Sequence, residues 1–197
     1  MKENIPYLES WFYDLQRSIK ELKGIAIDKN IKLLFSISTT TCKHGTNKPY
    51  TTPVRFLENS LISGVVVFSK IQSIVVTNIV KDFVDDFLID VEQKHNMKAA
   101  INSDTLKYFQ DKYFINGDIK YESILSIVRA IVADDRIIEY KANDITVDAI
   151  WTFLSTKLNY LSGKKVAIIG CGNIGSKLAL KLVESGVNVV LVRRDSS

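Results

Sequence analysis

Apolar residues recur at helical spacing near the start of the chain, at Leu8, Trp11, Phe12, Leu15, Ile19 and Leu22. Residues three and four apart share one side of a helix, so this spacing predicts an amphipathic helix over residues 5–22 that ends near Gly24 and turns its stripe to a core. "IKLLFSI" at 31–37 reads as a strand, and "STTTCKHGTNKPYTTP" after it as a polar loop closed by Pro49 and Pro53. Two short apolar runs follow, "GVVVF" at 64–68 and "IQSIVV" at 71–76, both expected as strands, and "DDFLIDVE" at 85–92 is expected as another. Runs rich in β-branched residues suit strands covered on both faces, as in parallel sheets. Helices are expected at 103–113 and 120–133, and "RIIEY" at 136–140 as a short strand. The alternation predicts an α/β domain over roughly residues 24–142.

From Ile145 the pattern becomes that of a long helix, with Ile150, Leu154, Leu158 and Leu161 on one face, Asp144 as its N-cap and an end near Gly163. At once "KKVAIIGCGNIGSKLALKLVESGVNVVLVRRDSS" begins, which reads as strand, glycine turn, helix and second strand. The chain therefore divides into an α/β catalytic or substrate domain at 1–144, a linking helix at 145–162 and the first β-α-β of a Rossmann-type dinucleotide-binding domain at 163–197. A full Rossmann sheet has about six strands. The two here read as a truncated domain, for which three explanations stand: the chain is part of a longer enzyme, which we favour; a partner, such as a second copy, completes the open sheet; or the stub packs on the first domain.

Gly170, Gly172 and Gly175 stand in G-x-G-x-x-G spacing between an apolar strand and an amphipathic helix. The first permits the tight turn, the second lets backbone approach a pyrophosphate, and the third lets helix and strand pack closely. Phosphates would rest on N–H groups at the helix start, where the dipole favours negative charge. The expected cofactor contacts are thus Gly170, Gly172, Asn173, Ile174 and Gly175. At the end of the second strand, where NAD-binding units usually place a carboxylate for the ribose hydroxyls, stand Arg193 and Arg194. Guanidinium groups bind a 2′-phosphate that a carboxylate would repel, which favours NADP; Asp195, two positions later, keeps NAD as the alternative.

Charge supports an anionic ligand at this end. Residues 145–197 hold seven Lys and Arg against three Asp and Glu, so the chain's whole formal charge of +4 lies there. Nucleic acid usually demands a broader basic face and is not expected as a partner. With 197 residues and 46% apolar content the chain can bury a sizeable core. Its apolar runs are too short to span a bilayer and its start lacks the layout of a signal peptide, so a soluble, cytoplasmic protein without a membrane partner is expected. Cys42 and Cys171 lack metal-type spacing and read as reduced thiols. Two histidines without a cluster predict no metal site.

"ANDITVDAIWTFL" before the glycine turn, and "VRRDS" at the end of the second strand, resemble the shikimate dehydrogenase-like group, in which an amino-acid-dehydrogenase-like catalytic domain precedes a Rossmann domain. The layout is also similar to methylene-tetrahydrofolate and methylene-tetrahydromethanopterin dehydrogenases. The resemblance covers roughly residues 140–197 and implies a two-domain NAD(P)-dependent oxidoreductase acting on a small polar metabolite. Such chemistry needs a general acid or base facing the nicotinamide, commonly a lysine paired with a carboxylate. Asp144 is the first candidate, by its place at the domain junction. Lys43, with His44 beside it, follows a strand's carboxyl end, where α/β sheets place ligands. Asp90 shares a face of its expected strand with Glu92, and Lys94 continues it. Each has a plainer reading, as helix cap, solvated loop or polar strand end, and the whole chain has an alternative as a non-catalytic dinucleotide-sensing or protein-interaction module.

Overall fold

The protein is described by a computed structural model that covers residues 10–40, 49–92, 112–115 and 118–193. It divides into two compact units, Met1–Tyr140 and Lys141–Ser197.

The first unit is α/β. Strands β1 (Lys32–Thr39), β4 (Ser60–Val67), β5 (Asp86–Asp90) and β8 (Ile137–Tyr140) form a parallel sheet in the order β4-β1-β5-β8. The two-residue strands β2 (Tyr50–Thr51) and β3 (Arg55–Phe56) run antiparallel to β4, and β6 (Phe114–Ile115) pairs with β7 (Asp118–Ile119) as a separate ribbon. Among the described residues, helices α1 (Ser10–Asp28), α2 (Lys70–Val80) and α3 (Ile124–Arg129) accompany these strands. One cluster unites Phe12, Leu15 and Ile19 of α1, Ile74 and Val75 of α2 and Ile127 of α3 with Leu33, Phe35, Ile37, Val65, Phe87 and Ile89 of the strands.

Several elements differ from the sequence expectation. Helix α1 continues through Gly24 to Asp28 because Ala26 still buries itself completely, and the chain turns only at Asn30, with φ 53°. The run 71–76 is helix, not strand. Ser69 caps α2 by accepting from the Gln72 amide at 3.2 Å, while the Gln72 Oε1 accepts from the Phe68 amide at 2.7 Å. These side chains satisfy amides at the helix start, and an apolar run this short is compatible with a helix buried nearly all round. Strand β5 ends at Asp90, so Glu92 lies beyond it and the two do not share a strand face. The helix expected at 120–133 is only Ile124–Arg129, set by a capping box between Ser123 and Ser126. The helix expected at 103–113 lies mainly outside the described residues.

A polar tie fixes the approach to β5. The Arg136 guanidinium donates to the carbonyls of Lys81 at 2.9 Å, Val84 at 2.5 Å and Asp85 at 2.9 Å, and lies 6.0 Å from the Phe87 ring centre. The Asp85 carboxylate accepts from the Leu33 amide at 2.7 Å and from Lys23 Nζ at 2.6 Å. Burial pushes the Asp85 carboxyl up, but the hydrogen bonds from Lys23 and Leu33 outweigh it and hold the group below its ordinary value.

The second unit comprises α4 (Ala142–Leu158), β9 (Lys165–Ile169), α5 (Asn173–Glu184) and β10 (Asn188–Val192), with β9 and β10 parallel. Its small core joins Val147, Leu161, Leu178, Leu182 and Val187, flanked by Ile150, Trp151, Leu154, Val166, Ile168 and Val189. The long helix therefore packs on α5 and the two strands. Trp151 Nε1 donates to Ser185 Oγ at 2.9 Å, and Lys181 Nζ sits 5.0 Å from the indole centre. This is a Rossmann-type strand-helix-strand fragment backed by one helix.

Candidate functional site

The glycine turn lies between β9 and α5. Gly170 adopts φ 106°, a conformation in the region that glycine enters without a steric cost from Cβ. Its amide donates to the Val192 carbonyl at 2.9 Å, which pins the turn to the end of β10 and sets Arg193, exposed, one residue from that bond. Gly175 meets the turn from the helix side: a Cβ there would stand 2.1 Å from the Gly170 carbonyl oxygen. Only a glycine lets α5 start this close to β9.

Gly172 behaves differently. It is extended, with φ −83° and ψ −171°, and caps α5, yet among the described residues no atom would lie within 4 Å of a Cβ placed on it. Nothing described in the protein explains a glycine here, whereas a pyrophosphate drawn close to the backbone does. The Ser176 amide is taken by the Gly172 carbonyl at 2.9 Å, so the first-turn donors at Asn173, Ile174 and Gly175 remain for an anion. The Cys171 Sγ lies 3.3 Å from Ser176 Oγ and is exposed on this turn. The residues present thus fit a dinucleotide phosphate. Arg194 lies outside the described residues.

Of the acid/base candidates, the described residues include Asp90 and Asp144, one in each unit. Lys43 and His44 lie outside the described residues, as does Lys94. Asp90 belongs to the first unit, at the end of β5, where it is 4% exposed and its Oδ1 accepts from the Glu92 amide at 3.0 Å. Asp144 belongs to the second unit. It is not the N-cap, because α4 starts two residues earlier, at Ala142 with Lys141 as the flanking residue. A carboxylate in a helix's first turn is favoured there by the dipole. Its Oδ1 lies 2.5 Å from Lys177 Nζ on α5, a partner the sequence reading did not identify, and one turn along Asp148 pairs with Lys181. The spacing Asp144/Asp148 against Lys177/Lys181 is the signal: each pair is one helical turn apart. Among the described residues, no group of three or more His, Cys, Asp or Glu is placed to hold a metal ion, and no helix is long and apolar enough to cross a membrane.

The hydrogen bond from Lys177 holds the Asp144 carboxyl below its ordinary value. A carboxyl depressed in the folded state stabilises it fully above the unfolded value, about 3.9, and that contribution disappears as pH falls through the lower folded value. Denaturant titrations across this acid range should therefore show a smaller pH dependence for Asp144→Asn than for the parent chain. Superimposable pH profiles would show that the ion pair holds nothing.

Comparison with known proteins falls on this same stretch. Residues 160–197 match the family model described as acetohydroxy acid isomeroreductase, NADPH-binding domain. A relative, ketol-acid reductoisomerase (NADP(+)) of Buchnera aphidicola subsp. Melaphis rhois, is 44% identical over 45 residues, which is 23% of this chain and 9% of that protein. The chain thus aligns with about a tenth of the relative's length. Among solved structures, the bifunctional FolD methylenetetrahydrofolate dehydrogenase/cyclohydrolase of Campylobacter jejuni aligns over 95% of this chain and 66% of its own, at 13% identity and a TM-score of 0.34. The similarity that residues support is to an NADPH-binding domain, and it covers β9, the glycine turn, α5 and β10.

Proposed function

We propose that the chain forms the substrate unit and the start of the cofactor unit of an NADP-dependent oxidoreductase acting on a small polar metabolite. The observation that carries this reading is the glycine turn within the stretch matched by an NADPH-binding domain: Gly175 seated against Gly170, Gly172 open to a ligand, and Arg193 beside the turn. The two-unit arrangement, with an α/β unit ahead of the dinucleotide unit, is the plan of the amino-acid-dehydrogenase-like enzymes, and we carry that plan with it.

In this reading the amides of Asn173, Ile174 and Gly175 receive the pyrophosphate at the positive end of α5. Arg193, with Arg194 following, binds the 2′-phosphate. NADP, when bound, supplies the hydride acceptor or donor. Lys43, Asp90 and Asp144 stay as the candidate acid/base and substrate-orienting groups, and of these Asp144 already has Lys177 as its partner. Ketol-acid reductoisomerase activity is that of the relative.

Titration calorimetry of the chain with NADPH and NADH tests the cofactor half. NADPH should bind more tightly, and replacing Arg193 and Arg194 by alanine should weaken NADPH by about tenfold or more while leaving NADH nearly unchanged, because each lost charge-assisted contact to a phosphate is worth roughly 1.5–3 kcal/mol. Equal losses for both cofactors would remove the 2′-phosphate assignment. Turnover is tested by following nicotinamide absorbance with a panel of hydroxy and amino acids, using the chain extended through a whole cofactor sheet; binding without turnover there favours the sensing module.

A further inference from the structure

The β4 edge of the first sheet is finished by short antiparallel strands. Tyr50 of β2 stands opposite Val66 and Phe56 of β3 opposite Leu61, and among the described residues no further strand pairs beyond them. This edge is anchored at both ends. The Thr52 amide donates to the Gly64 carbonyl at 2.9 Å, and the Leu57 amide donates to the Ser60 carbonyl at 2.8 Å, closing a tight turn over Glu58 and Asn59. Residues 53–59 are nevertheless all exposed.

Single exposed apolar side chains are ordinary on a protein surface. Here they are concentrated. Four of the eight residues from Tyr50 to Leu57 are large and apolar, and Tyr50, Val54, Phe56 and Leu57 are 48%, 42%, 58% and 55% exposed. None of the four belongs to the core cluster, which closes over Leu61 and Val65 without them. An apolar patch on an ordered sheet edge is the kind of surface that another chain covers.

Charge selects the partner. From Pro49 to Ser69 the only charged residues are Arg55 and Glu58. The described ion pairs of this unit draw their cations from Arg17, Lys23, Lys32 and Arg129, and neither Arg55 nor Glu58 takes part in any of them. From Arg55 to Glu58 the hairpin tip thus runs basic, apolar, apolar, acidic. Reversed, it runs acidic, apolar, apolar, basic, so two copies meeting antiparallel set Arg55 against Glu58 twice and Phe56 against Leu57 twice. This is the pattern of an isologous contact, in which residue i touches j and j touches i. An anionic membrane surface or a nucleic acid would require an excess of cations, which the tip lacks.

We propose that the tip of the β3–β4 hairpin is a contact surface for a second copy of this chain, giving a two-fold dimer centred on Phe56 and Leu57 with an Arg55–Glu58 pair on either side. Every residue in it belongs to the first unit, so it stands independently of the oxidoreductase reading and of the open sheet in the second unit. One hairpin from each copy is a small interface, which makes the dimer a weak one, with a dissociation constant of roughly 0.1 mM.

Sedimentation velocity on the whole chain, from about 10 µM to about 1 mM, should show monomer passing to dimer and going no further. Phe56→Ala should weaken the dimer about tenfold or more. Ile27→Ala, at a comparably exposed apolar position on α1, should leave it unchanged. Arg55→Glu and Glu58→Arg should each weaken it about tenfold, because both symmetric contacts become like-charged. Mixed in equal amounts, these two variants should associate with each other as the parent does, since the mixed pair restores opposite charges at both contacts. All four side chains are exposed, and circular dichroism checks that each variant keeps the parent's fold. A chain that stays monomeric throughout, association that continues past the dimer, or a Phe56→Ala chain that dimerises as the parent does would overturn the proposal. So would an Ile27→Ala chain weakened as much as Phe56→Ala, or a mixture of the charge variants that associates no better than either alone.

Discussion

Replacing Gly175 with alanine is expected to cost the chain about a hundredfold in NADPH affinity. The added methyl carbon would lie 2.1 Å from the Gly170 carbonyl oxygen and 3.3 Å from its carbon, both backbone atoms. Gly170 cannot easily yield, since its amide is bonded to Val192 at the end of β10. Helix α5 must instead move away from the turn, and the amides of Asn173 and Ile174 move with it. A hundredfold loss corresponds to about 2.8 kcal/mol of binding, and overpacking of this kind costs roughly 1–3 kcal/mol of stability as well. Calorimetric titration and thermal unfolding measure the two losses. Gly172→Ala provides the contrast, because its methyl carbon would meet no described protein atom within 4 Å. Folded stability should fall by no more than about 1 kcal/mol, from the poorer cap, while NADPH binding falls steeply. An NADPH affinity for Gly175→Ala within about twofold of the parent would refute the role given to the close approach.

The second large effect is expected at Arg136, far from the glycine turn in sequence. Arg136→Ala leaves the carbonyls of Lys81, Val84 and Asp85 without their shared donor. Hydrogen bonds to a charged group contribute about 1.5–3 kcal/mol each, and here water can reach part of the gap, so a total loss of about 3 kcal/mol is expected. For a unit of this size that lowers the thermal midpoint by roughly 10 °C. Arg136→Lys should recover less than half, since an ammonium cannot present the planar fork that meets three carbonyls. A Tm for Arg136→Ala within about 2 °C of the parent would show that the tie is not a source of stability.

What was legible in the sequence was local. The glycine spacing, the strand before it and the helix after it are read within a few residues, and β9, α5 and β10 stand where those signals put them. The parallel pairing of the first sheet was likewise signalled by "GVVVF", and β4 is buried through that run, whereas β1 and most of β5 alternate buried with half-buried residues. The run at 71–76 failed because β-branched residues suit a buried helix as well as a strand over so short a window; the deciding signal was Ser69 followed three residues later by Gln72, a capping pattern. Asp144 was read as a cap because its partner Lys177 is 33 residues away. Ser36 and Tyr140 are 104 residues apart and meet only because β5 lies between their strands. Arg136 was merely the first letter of a strand until the turn at 81–85 closed around it.

The indole of Trp151, held by Ser185 and overlaid by Lys181, has a spectroscopic consequence. The chain contains two tryptophans, and Trp11 lies edge-on to Phe12 in the other unit. Each unit therefore carries its own fluorophore. With Trp11→Phe, tryptophan emission comes from Trp151 alone, at the seam between α4 and α5. Its wavelength and quenching then follow the unit that holds the glycine turn, within the intact chain and without an added label.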